Sequence, residues 1–485
     1  MIKIADIEKI EGIRKILSGK TDSFHKIEFD SRRVEPGDFF VAVRGIHTDG
    51  HHYIDEVVGK GVAGVCCEVL PGKPDPGVTW VQVENSAIAL GEITSIFFGE
   101  PSKKFRLVGV TGTNGKTSVA TSLYNLFRLM GYKVGLFSTT GIMIEDKVLE
   151  TIHTTPDALV LQKYMGEMAE TGCAYVFMEV SSHAVDQERI AGLHFAGGIF
   201  TNLTQDHLDY HKDFKSYLYA KKKFFDRLPA EAFALINLDD RNARIMVQNT
   251  KARVSTFGIK TPADFHARIL ESHFDGTLVV LDNKEIWIPF VGDFSVSNMT
   301  AVYSTAVLLG EDPEKILENM SRLPMVPGRF EVFYSPEGII GIVDYAHTPD
   351  AVAKVLKTIR RLGESNEKVI TVVGAGGNRD KTKRPRMARF AYDLSDILIL
   401  TSDNPRDEEP EKIIHDMLEG LTKDEQSHVI SIPNRKEAIK TAFLMAKPSD
   451  IVLVAGKGHE TYQEIRGVRY HFDDREELKR MMNIE

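Results

Sequence analysis

Cysteine is scarce. The 485 residues hold three, Cys66, Cys67 and Cys173. None falls in a CxxC pair or at a spacing suited to a structural zinc, which excludes a disulfide-stapled secreted scaffold and a zinc-held fold. Long apolar runs are also missing: the longest, such as residues 397–400, fall far short of a membrane span, and no charged-then-apolar signal segment opens the chain. There is no long basic run, and the formal net charge is −9, so no nucleic-acid partner is expected. Together these absences describe a cytosolic protein with no membrane partner.

What is present is ordinary globular material, 42% hydrophobic and 27% charged. At 485 residues the chain outgrows one core, and about three domains are expected.

The most informative stretch is 107–117, Leu107-Val108-Gly109-Val110-Thr111-Gly112-Thr113-Asn114-Gly115-Lys116-Thr117. It reads as a buried strand running into a glycine turn, followed by a helix over 118–130 that Gly131 closes. Glycines let backbone N–H groups close on phosphate oxygens, Lys116 adds a mobile positive charge, and the Thr117 hydroxyl can hold Mg²⁺. This predicts ATP or another nucleoside triphosphate. The spacing departs from GxxxxGK[ST], because Val110 stands six before Lys116 and the glycine sits at Gly112.

Around that stretch the chain divides into three alternating α/β units. Residues 1–102 carry strand patterns at 26–29, 38–43, 62–67 and 79–83 and helical patterns at 55–60 and 88–98, making a smaller N-terminal α/β domain. Residues 103–330 add strands at 133–138, 175–180, 198–203 and 233–238, with helices at 158–170 and 214–228 between them. That pattern argues for a mainly parallel sheet with crossover helices, whose ligands gather at the carboxyl ends of the strands. Two polar clusters lie there: Glu179 to His183, followed by Gln187 and Arg189, and the run 201–211 with His207. Glu179, at the end of an apolar strand, suits a Mg²⁺-nucleotide. Residues 331–485 form a second, Rossmann-like open α/β sheet with strands at 338–343, 369–374, 397–400 and 451–454 and helices at 349–361, 384–394 and 411–421. Its loops carry 374–380, 403–406 and 456–460. The glycine run 374–379 lacks the GxGxxG spacing of a dinucleotide site.

The motifs TGTNGKT (111–117), EVSSH (179–183), TNLTQDHLDYH (201–211), YLYAK (217–221), GRFE (328–331), DYAH (344–347), DNPR (403–406) and GKGHE (456–460) occur in this order. The chain resembles the Mur ligase family over nearly its whole length. The resemblance implies ATP-driven amide synthesis: a carboxylate of UDP-N-acetylmuramoyl-L-alanyl-D-glutamate takes the γ-phosphoryl group, and the amine of a diamino acid opens the acyl phosphate. Anions meet throughout, so electrostatic clamping should carry the catalysis.

By that resemblance Lys116, Lys221 and His207 look catalytic. ATP would lie on Gly112, Thr113, Asn114, Gly115, Lys116, Thr117 and Ser118, with Asn298, Arg329, Asp344 and His347 around the adenosine and phosphates. Two Mg²⁺ ions would be held by Thr117 and Glu179, and by His207 and Lys221, the latter carried as a carbamate. Phe29, Ser31, Ile46, His47 and Thr48 would hold the uridine diphosphate, and Thr154, Thr155, Ser181, Gln187 and Arg189 the muramoyl dipeptide. Arg384, Asp403, Asn404, Pro405, Arg406, Gly456 and Glu460 would receive the amino acid. Arg406 can clamp a carboxylate bidentately, which favours meso-diaminopimelate over lysine. Lys222 and Lys223 are expected on a solvated helix face. His153 and Ser295 stand where relatives often carry asparagine. A monomer is expected. The nearest rivals are a sister ligase of the folylpolyglutamate type and a P-loop kinase; the kinase would leave 403–406 and 456–460 without a task.

Overall fold

The computed structural model describes residues 1–45, 48–151, 153–363 and 366–484. Three larger sheets follow one another along the chain. In the first, five strands run in the order Ile13–Leu17, Thr79–Val83, Gly64–Cys67, Phe39–Val41, Ile27–Glu28, all parallel except the antiparallel first. Successive side chains of a strand point to opposite faces. Phe39, Val41 and Cys66 therefore join the core on one side, while Phe40, Val65 and Cys67 join that on the other. The adjacent thiols are parted by the sheet itself, and burial pushes that of Cys67 up to about 11.

The second sheet has eleven strands. Its parallel heart is Val134–Ser138, Tyr175–Glu179, Arg106–Thr111, Gly197–Phe200, Phe233–Asn237 and Arg253–Gly258. Arg106–Thr111 sits in the middle, and the chain winds first to one side of it and then to the other. Such a reversal opens a crevice at the carboxyl end of the central strand. Helix Lys116–Leu129 begins there, two residues earlier than the apolar pattern suggests, because Lys116 and Thr117 form its first turn. Gly131, at φ 91°, follows its end.

Additions at both edges were not legible in the sequence: the antiparallel hairpin Gly141–Ile144 with Lys147–Leu149, and the antiparallel meander Phe265–His273, Gly276–Leu281, Lys284–Ile288, whose first strand joins Arg253–Gly258 in parallel. The meander alternates exposed and buried residues, the pattern of a half-covered sheet. Its turn signals were present in Asp275-Gly276 and in Asp282-Asn283, whose φ of 51° and 60° fit a tight hairpin turn.

The third sheet has six strands, in the order Glu331–Tyr334, Ile340–Asp344, Ile451–Ala455, Val369–Ala375, Ile397–Ser402, Ile430–Ser431, with only the first antiparallel. Pro349–Leu362, Lys383–Leu394 and Pro410–Leu418 cover one face, Arg435–Met445 and Asp474–Met481 the other.

One expectation is corrected. Lys222 is not solvated: it is 3% exposed and donates to both carboxylate oxygens of Asp226 at 2.6 and 2.8 Å. The helix Phe214–Asp226 is covered on more than one side, so the turn carrying Leu218 and Phe225 takes Lys222 inward as well. Lys223 is partly exposed and pairs with Glu188.

The first sheet's helix Ser86–Phe97 meets the central unit at a close backbone approach. A Cβ at Gly91 would stand 2.4 Å from the Ala191 carbonyl oxygen, whereas one at Gly59 meets nothing within 4 Å. Gly91→Ala should therefore lower stability by about 1–3 kcal/mol through overpacking, read as a fall in thermal midpoint by calorimetry. Gly59→Ala should leave the midpoint level or raise it.

Candidate active site

At the carboxyl end of Arg106–Thr111 the loop takes a shape that side chains would block. Gly112 has φ +152°, and a Cβ there would lie 2.0 Å from Thr201 Oγ1; Gly115 has φ +89°, and its Cβ would lie 2.5 Å from Asn298 Oδ1. The neighbouring strand end pins the turn. Asn202 accepts from the Asn114 N–H at 3.0 Å and donates to the Asn114 carbonyl at 2.9 Å, where Thr201 Oγ1 also donates at 2.6 Å. The Thr113 hydroxyl meets Tyr217 Oη at 3.0 Å and donates to the Thr204 carbonyl. Asn202 thus takes up the N–H groups of Thr113 and Asn114, and those of the helix's first turn are set for an anion.

Two ammonium groups converge on this loop. Lys116 Nζ donates to the carbonyls of Gly112 at 3.0 Å and Thr113 at 2.9 Å. Lys221 Nζ, 1% exposed, donates to the same Gly112 oxygen at 2.8 Å. It also lies 4.8 Å from the Tyr217 ring centroid. Burial, and then the charge of Lys116, hold Lys221 well below the usual lysine range. Burial also lowers Lys116, which Glu179 and Asp206 partly offset.

Beside the cradle runs a string of oxygens. Thr117 Oγ1 lies 3.0 Å from Thr139 Oγ1, and both the hydroxyl and the N–H of Thr139 donate to Glu179 Oε1 at 2.9 Å. Arg329 donates to Thr117 Oγ1 at 3.0 Å, with its guanidinium 4.3 Å from the Tyr345 ring centroid. No group of three or more His, Cys, Asp or Glu suited to a metal occurs among the described residues. A hydroxyl and one carboxylate 1% exposed are nonetheless a hard-oxygen pair that fits Mg²⁺, an ion that takes one or two protein oxygens and completes its shell with phosphate and water.

His207, at φ 55°, lies beside the cradle's Tyr217, their ring centroids 6.0 Å apart. Its ring nitrogen is 3.4 Å from Asp206 and its ring centroid 4.9 Å from that of His183. Burial drives His207 down to about 3 and His183 to about 4, so both imidazoles are neutral and able to act as ligands. His347 is likewise lowered by burial to about 4, its Nδ1 2.9 Å from the Tyr345 carbonyl. Asp344 accepts from the Phe330 N–H at 2.7 Å, and burial raises its carboxyl to about 6.

One cavity of 2390 Å³, walled by all three units, reaches Lys116, Thr139, His183, His207, Lys221 and His347, while Thr117, Glu179, Asn298, Arg329 and Asp344 do not line it. The first unit contributes Phe29. The central unit contributes Lys116, His207 and Lys221, with Thr154, Thr155, Ser181, Gln187 and Arg189 along one side. That side is internally braced: Arg189 donates to the Thr155 carbonyl at 2.8 Å and to Gln187 Oε1 at 2.7 and 3.0 Å. The third unit contributes Asp403, Asn404, Arg406, Gly456 and Glu460. Its helix Lys383–Leu394 touches the central unit through Arg386, which donates to Gln205 at 2.8 Å.

Some expected residues lie elsewhere. Arg384 does not reach the cavity: its side chain is 0% exposed and its guanidinium is tied to Glu408, Asp416 and the Gly376 carbonyl. The arginine that does line the cavity from this loop is Arg379, five residues earlier. Pro405 backs the loop, its carbonyl oxygen 1.8 Å from a Cβ at Gly377. Ser31 is buried, with its carbonyl bonded to Lys60 at 2.8 Å, and exposed Thr48 closes a turn with Gly45; neither lines the cavity. Ile46 and His47 lie outside the described residues. Thr139 went unnoticed in the sequence, although a polar residue just past a parallel strand is where ligands gather.

Comparison with known proteins matches the geometry. Residues 23–97 match the description "Mur ligase family, catalytic domain", 110–306 "Mur ligase middle domain" and 328–458 "Mur ligase, glutamate ligase domain". The chain is 54% identical over 457 residues to a UDP-N-acetylmuramoyl-L-alanyl-D-glutamate–2,6-diaminopimelate ligase of Bacteroides thetaiotaomicron, covering 94% of this chain and 95% of that one. A solved structure bearing the same enzyme name superposes with TM-score 0.70 at 31% identity, covering 99% of each chain. The MurF ligase of Thermotoga maritima in complex with ADP shares the fold, with TM-score 0.62 at 20% identity over 94% of this chain and 97% of that one. Three family domains in unbroken order, together with identity above one half along nearly the full length, establish that the chain belongs to the Mur ligase family.

Proposed function

We propose that this chain is an ATP-dependent ligase joining meso-2,6-diaminopimelate to the D-glutamate side-chain carboxylate of UDP-N-acetylmuramoyl-L-alanyl-D-glutamate, in cytoplasmic assembly of a peptidoglycan precursor. The observation that carries this reading is one cavity lined at once by Lys116, Lys221 and His207 of the central unit and by Arg379 and Arg406 of the third. A kinase needs only the first of these. Residues 1–102 would bind the uridine nucleotide, 103–330 ATP, and 331–485 the amino acid, within a monomer.

The chemistry follows from the placement of charge. The substrate carboxylate attacks the γ-phosphorus and ADP leaves, giving an acyl phosphate; the amine then adds to its carbonyl and phosphate departs, leaving the amide. Lys116 and the loop N–H groups hold the phosphates and balance the charge that moves to ADP. Thr117 and Glu179 would hold one Mg²⁺, and His207 with a carbamate on Lys221 a second. Bound Mg²⁺ supplies positive charge to the phosphoryl oxygens. A carbamate forms only on an unprotonated amine, and burial, which holds Lys221 well below the usual lysine range, favours that form. Arg189 would orient the dipeptide. Arg379 and Arg406 would pair with the distal carboxylate of diaminopimelate, a group that lysine lacks.

Three outcomes are expected. With ATP, Mg²⁺ and the UDP-dipeptide, phosphate release should depend on meso-diaminopimelate, with L-lysine at least about a hundredfold poorer for loss of two charge-assisted contacts; equal rates with lysine would defeat the specificity claimed. Arg379→Ala or Arg406→Ala should raise the diaminopimelate KM about tenfold or more without moving the ATP KM, whereas Arg384→Ala should lower the unfolding free energy by about 3–5 kcal/mol by orphaning two carboxylates. Carbon-13 bicarbonate should label a carbamate carbon visible by NMR in the wild type and absent from Lys221→Ala, whose kcat falls by about two orders of magnitude or more. A label that persists in Lys221→Ala would remove the carbamate from this position.

A further inference from the structure

Beneath the proposed amino-acid site lies a lysine with no access to solvent. Lys457 is 0% exposed. It follows the strand Ile451–Ala455 in a turn whose flanking glycines cannot be replaced freely: Gly456 has φ +123° and Gly458 φ +53°. A Cβ would lie 2.6 Å from Asp403 Oδ2 at the first and 2.6 Å from the Gly328 carbonyl at the second. This geometry turns the ammonium inward. Lys457 Nζ donates to Asn404 Oδ1 and to Glu460 Oε2, both at 3.1 Å. Asn404 Nδ2 donates to the same Glu460 oxygen at 2.8 Å, and Asn404 Oδ1 also accepts from the Glu464 N–H at 2.9 Å. The amide therefore has one orientation, and one carboxylate oxygen of Glu460 is fully committed. The other, Oε1, is left with the Tyr345 hydroxyl at 3.4 Å. Asn404 and Glu460 line the cavity; Lys457 does not.

We propose that Lys457 is a positioning residue that fixes Asn404 and Glu460 so that Glu460 Oε1 is presented to the ammonium of the incoming amino acid. This rests on the reading of Asn404 and Glu460 as amino-acid ligands. Burying an ammonium is costly unless it is paired, and here the pairing is with two cavity residues rather than with the scaffold. The charged and titratable groups around Glu460 are Asp403, Tyr345, Tyr462, Arg435 and Lys457. Burial and Asp403 raise the Glu460 carboxyl, while Lys457 and Asn404 lower it. Without the lysine, Asn404 alone holds Glu460 Oε2, and the carboxylate takes up a proton more readily.

The test is steady-state kinetics on the full chain with ATP, Mg²⁺, UDP-dipeptide and diaminopimelate, each varied in turn. Lys457→Met should raise the diaminopimelate KM about tenfold or more, leave the KM for ATP and UDP-dipeptide within about twofold, and be partly rescued by Lys457→Arg. Glu460→Gln should raise the same KM, and adding it to Lys457→Met should do little more, because both act through one carboxylate. If Lys457→Met does not fold, Lys457→Gln, which keeps a donor without the charge, is judged by the same ratios. An unchanged diaminopimelate KM with only the thermal midpoint lowered, or three KM values raised alike, would overturn the proposal while the site assignment stands on Glu460→Gln. A diaminopimelate KM untouched by Glu460→Gln would instead remove the assignment and this inference with it.

Discussion

The ammonium groups of Lys116 and Lys221 are both aimed at the Gly112 carbonyl oxygen. One carbonyl dipole cannot balance two cations held this close, and burial, then the charge of Lys116, lowers the affinity of Lys221 for its proton. The arrangement would become favourable with anions present, as the proposed triphosphate at the cradle and carbamate on Lys221. Most of what surrounds the loop serves to keep this pair in place. Tyr217 lies against Lys221 and bonds Thr113, and Asn202 grips Asn114.

The same constraint explains how the three units divide the labour. The central sheet can only place the cradle at its own carboxyl edge, where the winding of the chain reverses. The remaining walls must be supplied by neighbours. The third unit brings Arg379, Arg406 and Glu460 over that edge. Arg329 joins the two, with one end on the cradle's Thr117 and its plane on Tyr345. Tyr345 in turn reaches Glu460, so Thr117 of the central unit and Glu460 of the third are connected through a short, packed path.

Within the third unit, burial separates two arginines that look alike on paper. Arg384 and Arg379 lie five residues apart, and both are polar residues near a strand's carboxyl end. Helix Lys383–Leu394 packs its inner face on the sheet, and Arg384 falls on that face beside Met387 and Ala388. Its charge is met by Glu408 and Asp416. Arg379 precedes the helix in the loop, so its side chain is free to face the cavity. The partition of Lys221 and Lys222 is of the same kind, except that there both neighbours are buried, each with its own partner.

The sequence by itself determined the alternation of strands and helices, the parallel heart of both large sheets and the strand ends at which ligands gather. These follow from local periodicity and from glycines that only one backbone shape requires, as at Gly112 and Gly115. It also carried the family's motifs in order. The antiparallel meander over residues 265–288 was not legible, because a bulge between Ile269 and Glu271 breaks the alternation that brings Ala267, Val279, Leu281, Ile286 and Ile288 into the core. Tertiary structure alone decided which side chain of a motif meets the cavity and which meets the scaffold: Arg379 rather than Arg384, Thr139 beside Glu179, Lys457 beneath Asn404 and Glu460. Those choices depend on helix rotation and on contacts between residues tens to hundreds of positions apart, which no local pattern of the chain encodes.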